Sequence, residues 1–467
     1  MKELNNCYMS IVGVGDSYYA FDENTYEIQK LNDKSKEIFE YLIENREWPK
    51  DNMSGRELIQ IAMSIKKGNF FSENKKKYIN GQNIESFVVS FPIQHKCNLR
   101  CKYCFAHGGD VYEGTNREMQ IQVIDKFVER IKEKNTVKKI RLEFVSGGEN
   151  FIDKKKYIEI VDHFKMSMEK NDIELNIFTE SNGTLLDSEI IDYLDKNNIS
   201  LGISIDGPKG IHDEMRCYVD GRGSYNTIID NLNKCYSKSK KNIWVLSVVT
   251  SNTKSLAEII EHNMLLGVDS MELRIVRGSE ENDFCLSEKN LQHFVGLYEE
   301  LVNYFKEKPE RIKNIYNNYD SFGKILMRLI TKNKIVYRCQ AGKNKFSITA
   351  DGDIYPCDSF VGMKGMKIGN VYYDEVNEEV LQYFKKNTVW DHKKCNACKY
   401  KYLCGGECYY NRIITNCSHG QNELYCKLQK KLIEFAIDLT YYLKNQCKEE
   451  YLLLEKIGKI RNSQEIR

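Results

Sequence analysis

Between residues 86 and 278 the hydrophobic positions switch repeatedly between two periods. FVVSFPI, IRLEFVSGG, ELNIFTESNG, LGISIDGP, NIWVLSVVTSN and SMELRIVRG read as short apolar strands. IQVIDKFVERIKEK, KKKYIEIVDHFKMSMEK, SEIIDYLDKN, SYNTIIDNLNKCYSK and LAEIIEHNMLLG lie between them and carry apolar residues at helical spacing. Strand–helix alternation predicts an α/β fold with a parallel sheet, open or closed into a barrel, and chemistry at its C-terminal strand ends. Residues 1–85 differ: three short strands (YMSIVGVG, SYYAFDEN, TYEIQKLN), helices at KSKEIFEYLIEN and GRELIQIAMSIKK, and a polar linker, SENKKKYINGQN. Further on, LQHFVGLYEELVNYFKEK, SFGKILMRLITKN and the closing KLQKKLIEFAIDLTYYLKNQ predict helices. Residues 336–430 show little periodicity, and the last residues, IRNSQEIR, are expected to fray. The segments are therefore 1–85, 86–310, 311–335 (a helical bridge), 336–430 and 431–467.

At 467 residues the chain is too long for one ordinary domain. Its 69 Lys and Arg nearly balance 67 Asp and Glu, which argues against nucleic acid or an anionic membrane as a partner held by bulk charge. No apolar run reaches the roughly 20 residues of a spanning helix. The N-terminus has no signal-peptide core, so a cytoplasmic protein is expected. Sixteen cysteines then need a purpose, because cytosolic thiols stay reduced. Three fall within 97–104 and six within 395–426, a clustering that points to metal or iron–sulfur ligation.

The first cluster, QHKCNLRCKYCF, directly follows the first strand of the alternating region and spaces Cys97, Cys101 and Cys104 as C-x3-C-x2-C. A [4Fe–4S] cube has four irons, so three cysteines leave one iron open to bind a cofactor or substrate. A structural zinc would need a fourth ligand, for which His95 or His107 is available. The spacing, with the aromatic Tyr103 before the last cysteine, resembles the radical S-adenosylmethionine (SAM) enzymes. Their second mark, GGE, follows the next strand as Gly147, Gly148 and Glu149, with Asn150 where the family usually has Pro. Further matches are Asn182 in SNGTLLD, Ser204 in SIDGP and Arg216. Taken alone, Asn182 and Asp206 read as ordinary turn residues. The resemblance covers about residues 88–310. It implies a partial (β/α)6 barrel, with GGE on the methionine amino group of SAM and Ser204 and Arg216 on its ribose and carboxylate.

The second group runs from Cys339 through Gly352 to Cys357, then CNACKYKYLCGGEC at Cys395, Cys398, Cys404 and Cys408, then Cys426. It resembles the SPASM domain of peptide-modifying radical SAM enzymes, which carries two auxiliary [4Fe–4S] clusters. That implies three clusters in all. Cys395, Cys398, Cys404 and Cys426 would hold the distal auxiliary cluster, and Cys339, Cys357 and Cys408 the nearer one. The nearer cluster has three matched ligands. Either its fourth iron is open to a substrate thiolate, or Cys217, Cys285 or Cys417 completes it. Cys7, Cys235 and Cys447 match nothing and are read as small buried apolar residues.

The first 85 residues resemble a PqqD-like peptide-recognition domain, a winged-helix-like α+β unit that would bind a leader peptide by adding a strand to a sheet edge. Together the resemblances imply a maturase of a ribosomally made, Cys-containing peptide. SAM cleavage would give a 5′-deoxyadenosyl radical, hydrogen abstraction a carbon radical, and capture by sulfur a thioether. Reduced flavodoxin or ferredoxin would be the electron donor. The competing enzymes are an anaerobic sulfatase maturase and a carbon–carbon or ether crosslinking maturase. Against the former stand the N-terminal unit and the lack of a cysteine between Cys339 and Cys357. The competing non-enzyme is a zinc-stapled peptide-binding module.

Overall fold

The structure, a computed structural model, describes residues 8–45, 78–79, 85–109, 118–134, 136–145, 147–235, 242–317, 319–415 and 422–466. The helix expected at GRELIQIAMSIKK lies outside them, as do Cys7 and Cys417.

Strands β1 (Met9–Val14), β2 (Ser17–Asp22) and β3 (Ile28–Leu31) form an antiparallel sheet in that order, followed by the helix Asp33–Asn45. Side chains alternate across the sheet as period-two geometry requires. Ala20 faces a small cluster with Ile38, Phe39 and Leu42 of the sheet's own helix. Tyr19 and Phe21 face the other way, into the main core. On that side Tyr19 Oη donates to Asp438 Oδ1 at 2.5 Å, and Glu27 accepts from Lys332 and Lys444. The N-terminal unit is thus sandwiched between its own helix and the body of the protein.

A two-residue strand, β4 (Tyr78–Ile79), precedes the main sheet. Strands β5 (Ser86–Ser90), β6 (Lys139–Phe144), β7 (Glu174–Ser181), β8 (Ser200–Ser204), β9 (Ile243–Val249) and β10 (Met271–Ile275) pair in parallel, each with its sequential neighbour. Helices between them start on side-chain caps: Asp153, Asp187 and Ser255 accept from the amides of Lys156, Ile190 and Glu258. The result is a partial, barrel-like parallel sheet with every C-terminal strand end on one rim.

The sheet does not stop at β5. After the short β11 (Lys334–Ile335), β12 (Lys345–Ile348) pairs in parallel with β5, and β13 (Asp353–Tyr355), β14 (Gly369–Asn370) and β15 (Tyr373–Val376) continue antiparallel. The cysteine-rich segment is therefore built onto the barrel sheet.

The C-terminus corrects one expectation. Where IRNSQEIR is expected to be loose, a helix spans Lys448–Ile466 behind the long helix Glu423–Gln446, and its residues as far as Asn462 are packed. Leu454 is buried, Gly458 lies against Thr331 and Tyr316, Arg461 donates to the Tyr316 carbonyl and Asn462 to Thr331. No helix among the described residues is long and apolar enough to cross a membrane.

Candidate active site

Cys97, Cys101 and Cys104 lie on the loop that leaves β5, at the mouth of a cavity of about 280 Å³. Neighbouring strand ends hold this loop. Asn182 Nδ2, just past β7, lies 3.7 Å from Cys97 Sγ and donates to Asn98 Oδ1 at 2.9 Å. Arg216 Nη1 lies 3.9 Å from Cys101 Sγ. Burial pushes the Cys97 thiol up to about 11 and the Cys101 thiol up to about 12. Without a metal both stay protonated, and a bound cation that takes up thiolate reverses that preference.

The GGE segment returns beneath the loop. A Cβ on Gly148 would sit 2.1 Å from the Lys96 carbonyl oxygen, so only glycine allows this approach. Gly147 has φ +100°, the region that favours glycine. Glu149 is 2% exposed. Its carboxylate accepts from Ser181 Oγ at 2.8 Å, the Asn182 amide at 2.7 Å and the Phe151 amide at 3.2 Å, none of them a cation. Burial raises its pKa. A buried carboxylate bordering a cavity without a cation of its own fits an ammonium group. Asn150, in place of the family's Pro, donates to the Phe144 and Glu180 carbonyls at 2.8 and 2.7 Å and ties the ends of β6 and β7 together.

Ser204 lines the cavity at the end of β8. Asp206, which reads as a turn residue in the sequence, does more. Its Oδ2 accepts from Tyr103 Oη at 2.5 Å and from Arg216 Nε at 3.2 Å, and its Oδ1 from the Val248 amide at 2.9 Å. Burial works against the charge on Arg216, but Asp206 outweighs it and keeps the guanidinium protonated, stacked 5.3 Å from the Tyr103 ring centre. Burial lowers the His212 pKa to about 4; the imidazole bridges the Asp206 amide and Ser224 Oγ at 3.3 and 3.0 Å. The signal for Asp206 was its place at a strand end, two residues past Ser204.

The opposite wall of the cavity comes from the cysteine-rich segment. Lys345 Nζ on β12 lies 2.9 Å from Glu143 Oε2 and 3.7 Å from Asp358 Oδ1. Arg277 Nη1 donates to Ser359 Oγ at 2.7 Å. Glu180 lies 3.7 Å from Arg274, and burial, helped by the nearby Glu272, Asp358 and Glu143, pushes its pKa up to about 7. Beyond this wall the cysteines separate into two sets. Cys339, Cys357 and Cys408 are electrostatic neighbours, as are Cys395, Cys398, Cys404 and Cys426. Cys339 is an exposed residue, and the protein packed around its sulfur raises the thiol pKa. Among the described residues no three His, Cys, Asp or Glu side chains gather tightly enough to ligate one metal ion.

Of the possible fourth ligands, Cys217 Sγ lies 3.5 Å from the Arg100 carbonyl, beside the first loop. Cys285 is buried under Gly278, and burial alone pushes its thiol up to about 11. Neither joins the Cys339 set. Cys447 is partly buried against the core, and Cys235 ends the helix Tyr225–Cys235.

Residues 91–262 match the radical SAM superfamily, and residues 339–399 match SPASM, an iron–sulfur cluster-binding domain. The chain is 27% identical over 379 residues to a cysteine-type anaerobic sulfatase-maturating enzyme of Clostridium novyi, covering 76% of this chain and 96% of that one. It is 23% identical to the antilisterial bacteriocin subtilosin biosynthesis protein AlbA of Bacillus subtilis, covering 72% and 69%. The solved structure of native anSMEcpe with bound AdoMet superposes with a TM-score of 0.62 at 21% identity, covering 77% of this chain and all of that one.

Proposed function

Because the chain is a radical SAM enzyme carrying a SPASM domain with [4Fe–4S] clusters, we propose that it matures a ribosomally made, Cys-containing peptide by forming sulfur-to-carbon thioether crosslinks. The zinc-stapled binding module is set aside by the same matches. Bound here, a reduced cluster and SAM supply a radical that takes hydrogen from an unactivated carbon, and the auxiliary clusters a store for the surplus electron. Cys97, Cys101 and Cys104 hold the SAM-binding cluster. Glu149 receives the ammonium of SAM. Arg216, oriented by Asp206 and Tyr103, receives its carboxylate, a planar fork for a planar acceptor. Asn182 and Ser204 complete the pocket. Trp244 and Leu246 exclude water from the reacting carbon.

One observation carries the thioether reading: Cys357 and Cys408 lie against Arg277 and Asp358, which line the cavity opposite the SAM residues, while Cys217 and Cys285 stand apart from them. The Cys339 set lies behind the wall facing the SAM residues, so a peptide thiolate held there meets a carbon activated opposite. Cys395, Cys398, Cys404 and Cys426 hold the distal cluster. The N-terminal unit binds the leader as a PqqD-like domain. Both faces of its sheet are covered, which leaves an edge as the place for an added strand. Reduced flavodoxin or ferredoxin delivers the electron.

The test uses full-length protein reconstituted anaerobically, with dithionite, SAM and peptides captured on it from host lysate. Loss of two hydrogens per crosslink, with a sulfur–carbon bond located by fragmentation, is expected. The sulfatase-maturating relatives favour a second reading, oxidation of one Cys or Ser to formylglycine. A new aldehyde without a crosslink would select it.

A further inference from the structure

Most cations around the cavity have a carboxylate. Lys345 has Glu143 and Asp358, Arg274 has Glu272, and Arg216 has Asp206. Arg277 instead donates to Ser359, and Lys343, set back from the cavity lining, has no carboxylate either. It is 6% exposed, and its ammonium donates only to Tyr409 Oη, at 3.1 Å. It lies 4.1 Å from the ring centre of Tyr337 and 4.9 Å from that of Tyr409. Burial lowers its pKa to about 8, which leaves it charged at neutral pH, and the one negative group acting on it is the Cys339 sulfur.

The local backbone makes this placement deliberate. The turn from Gln340 to Lys345 is closed by the Lys343 and Asn344 amides on the Gln340 carbonyl, and Gly342 donates to the Lys345 and Pro356 carbonyls. Gly342 has φ +65°, and a Cβ there would meet Phe384 at 2.7 Å. Lys343 is thus fixed four residues after Cys339, while its hydroxyl partner, Tyr409, directly follows Cys408. A buried ammonium without a carboxylate is strongly unfavourable unless another negative charge faces it. Two aromatic faces offset part of that cost. The remaining negative charge in reach is the Cys339 sulfur.

We propose that Lys343 is a counter-charge of the iron–sulfur site on Cys339, Cys357 and Cys408, beside Lys345 and Arg277, which are tied to Glu143, Asp358 and Ser359, and that it sets the site's reduction potential upward, with Tyr337 and Tyr409 as the cage that holds the ammonium in place. This rests on the assignment of that site as an auxiliary cluster. A fixed positive charge favours the more negative, reduced state, so its removal makes the cluster harder to reduce.

The test is a redox titration of reconstituted holoprotein followed by electron paramagnetic resonance, with Cys97, Cys101 and Cys104 changed to Ala so that only auxiliary clusters report. Cys339→Ser identifies the step that belongs to this site. Lys343→Met, which suits an aromatic cage, is expected to lower the reduced-to-oxidised ratio of that step about tenfold at fixed potential, about 59 mV for one electron. The other auxiliary step stays in place. Lys343→Arg keeps the charge and is expected to restore the wild-type position. An unmoved step in Lys343→Met, or an equal shift in Lys343→Arg, overturns the proposal. Absence of any step sensitive to Cys339→Ser overturns the cluster assignment beneath it instead.

Discussion

Two cysteine regions face one cavity and are held by opposite means. The 97–104 loop is fixed by polar groups from neighbouring strand ends, with Asn182 on Cys97, Arg216 on Cys101 and Asp206 behind both Arg216 and Tyr103. Under it lie fully buried aliphatics such as Leu142, Ile203 and Val245. Before the long helix that carries Cys426, the second region has strands of two to four residues and helices of four to eight. Elements that short are marginal alone. The first region is a site mounted on a finished fold, whereas the second packs only a small apolar cluster, with Phe360, Phe384 and Tyr409, and is expected to lean on what its sulfurs bind.

The comparison breaks most visibly on iron removal. Chelation under anaerobic conditions is expected to leave the amides of β5–β10 protected from hydrogen exchange and to strip protection from residues 345–415. Equal loss in both regions would erase the distinction. Next, Cys101→Ala is expected to abolish SAM cleavage in reconstituted enzyme. Its melting free energy should stay within about 1 kcal/mol of wild type, because the barrel does not need the cluster to fold.

His212 sharpens the barrel side. Its folded pKa of about 4 is below the ordinary 6.5. As pH falls from 6.5, the unfolded chain takes up a proton that the folded chain refuses until about pH 4. Stability is therefore intact above 6.5 and falls between 6.5 and 4, by at most about 3 kcal/mol. His212→Asn is expected to flatten that part of a denaturation–pH curve. Asp206→Asn leaves Arg216 less firmly held and is expected to weaken SAM binding by about 10–100-fold in equilibrium dialysis. The smallest effect is that of Tyr19→Phe. Losing the hydroxyl on Asp438 is expected to cost about 1 kcal/mol in the docking of the N-terminal unit, read by hydrogen exchange in β1–β3.

The alternating region was legible because strand and helix periods are local signals, and the helix Ile121–Lys134 begins and ends where its apolar spacing does. Cysteine spacing is equally local, and the structure gathers the two SPASM sets into separate neighbourhoods. Long-range pairing was not legible. Nothing in KFSI says that it will lie beside FVV more than 250 residues earlier. Asp206 looks like any Asp-Gly-Pro turn until Tyr103 and Arg216 arrive from elsewhere. The reach of the last helix was not legible either: its polar end signals fraying, while Arg461 and Asn462 are held by Tyr316 and Thr331, which lie far away in sequence.

The pairing of Lys345, Phe346 and Ser347 with Val88, Val89 and Ser90 has one more consequence. β5 runs directly into the 97–104 loop, and β12 is its immediate neighbour in the ladder, about 4.8 Å away. Moving one wall away from the other would mean unzipping that ladder, so the SAM-side loop and the cysteine-rich segment are mounted on a single frame.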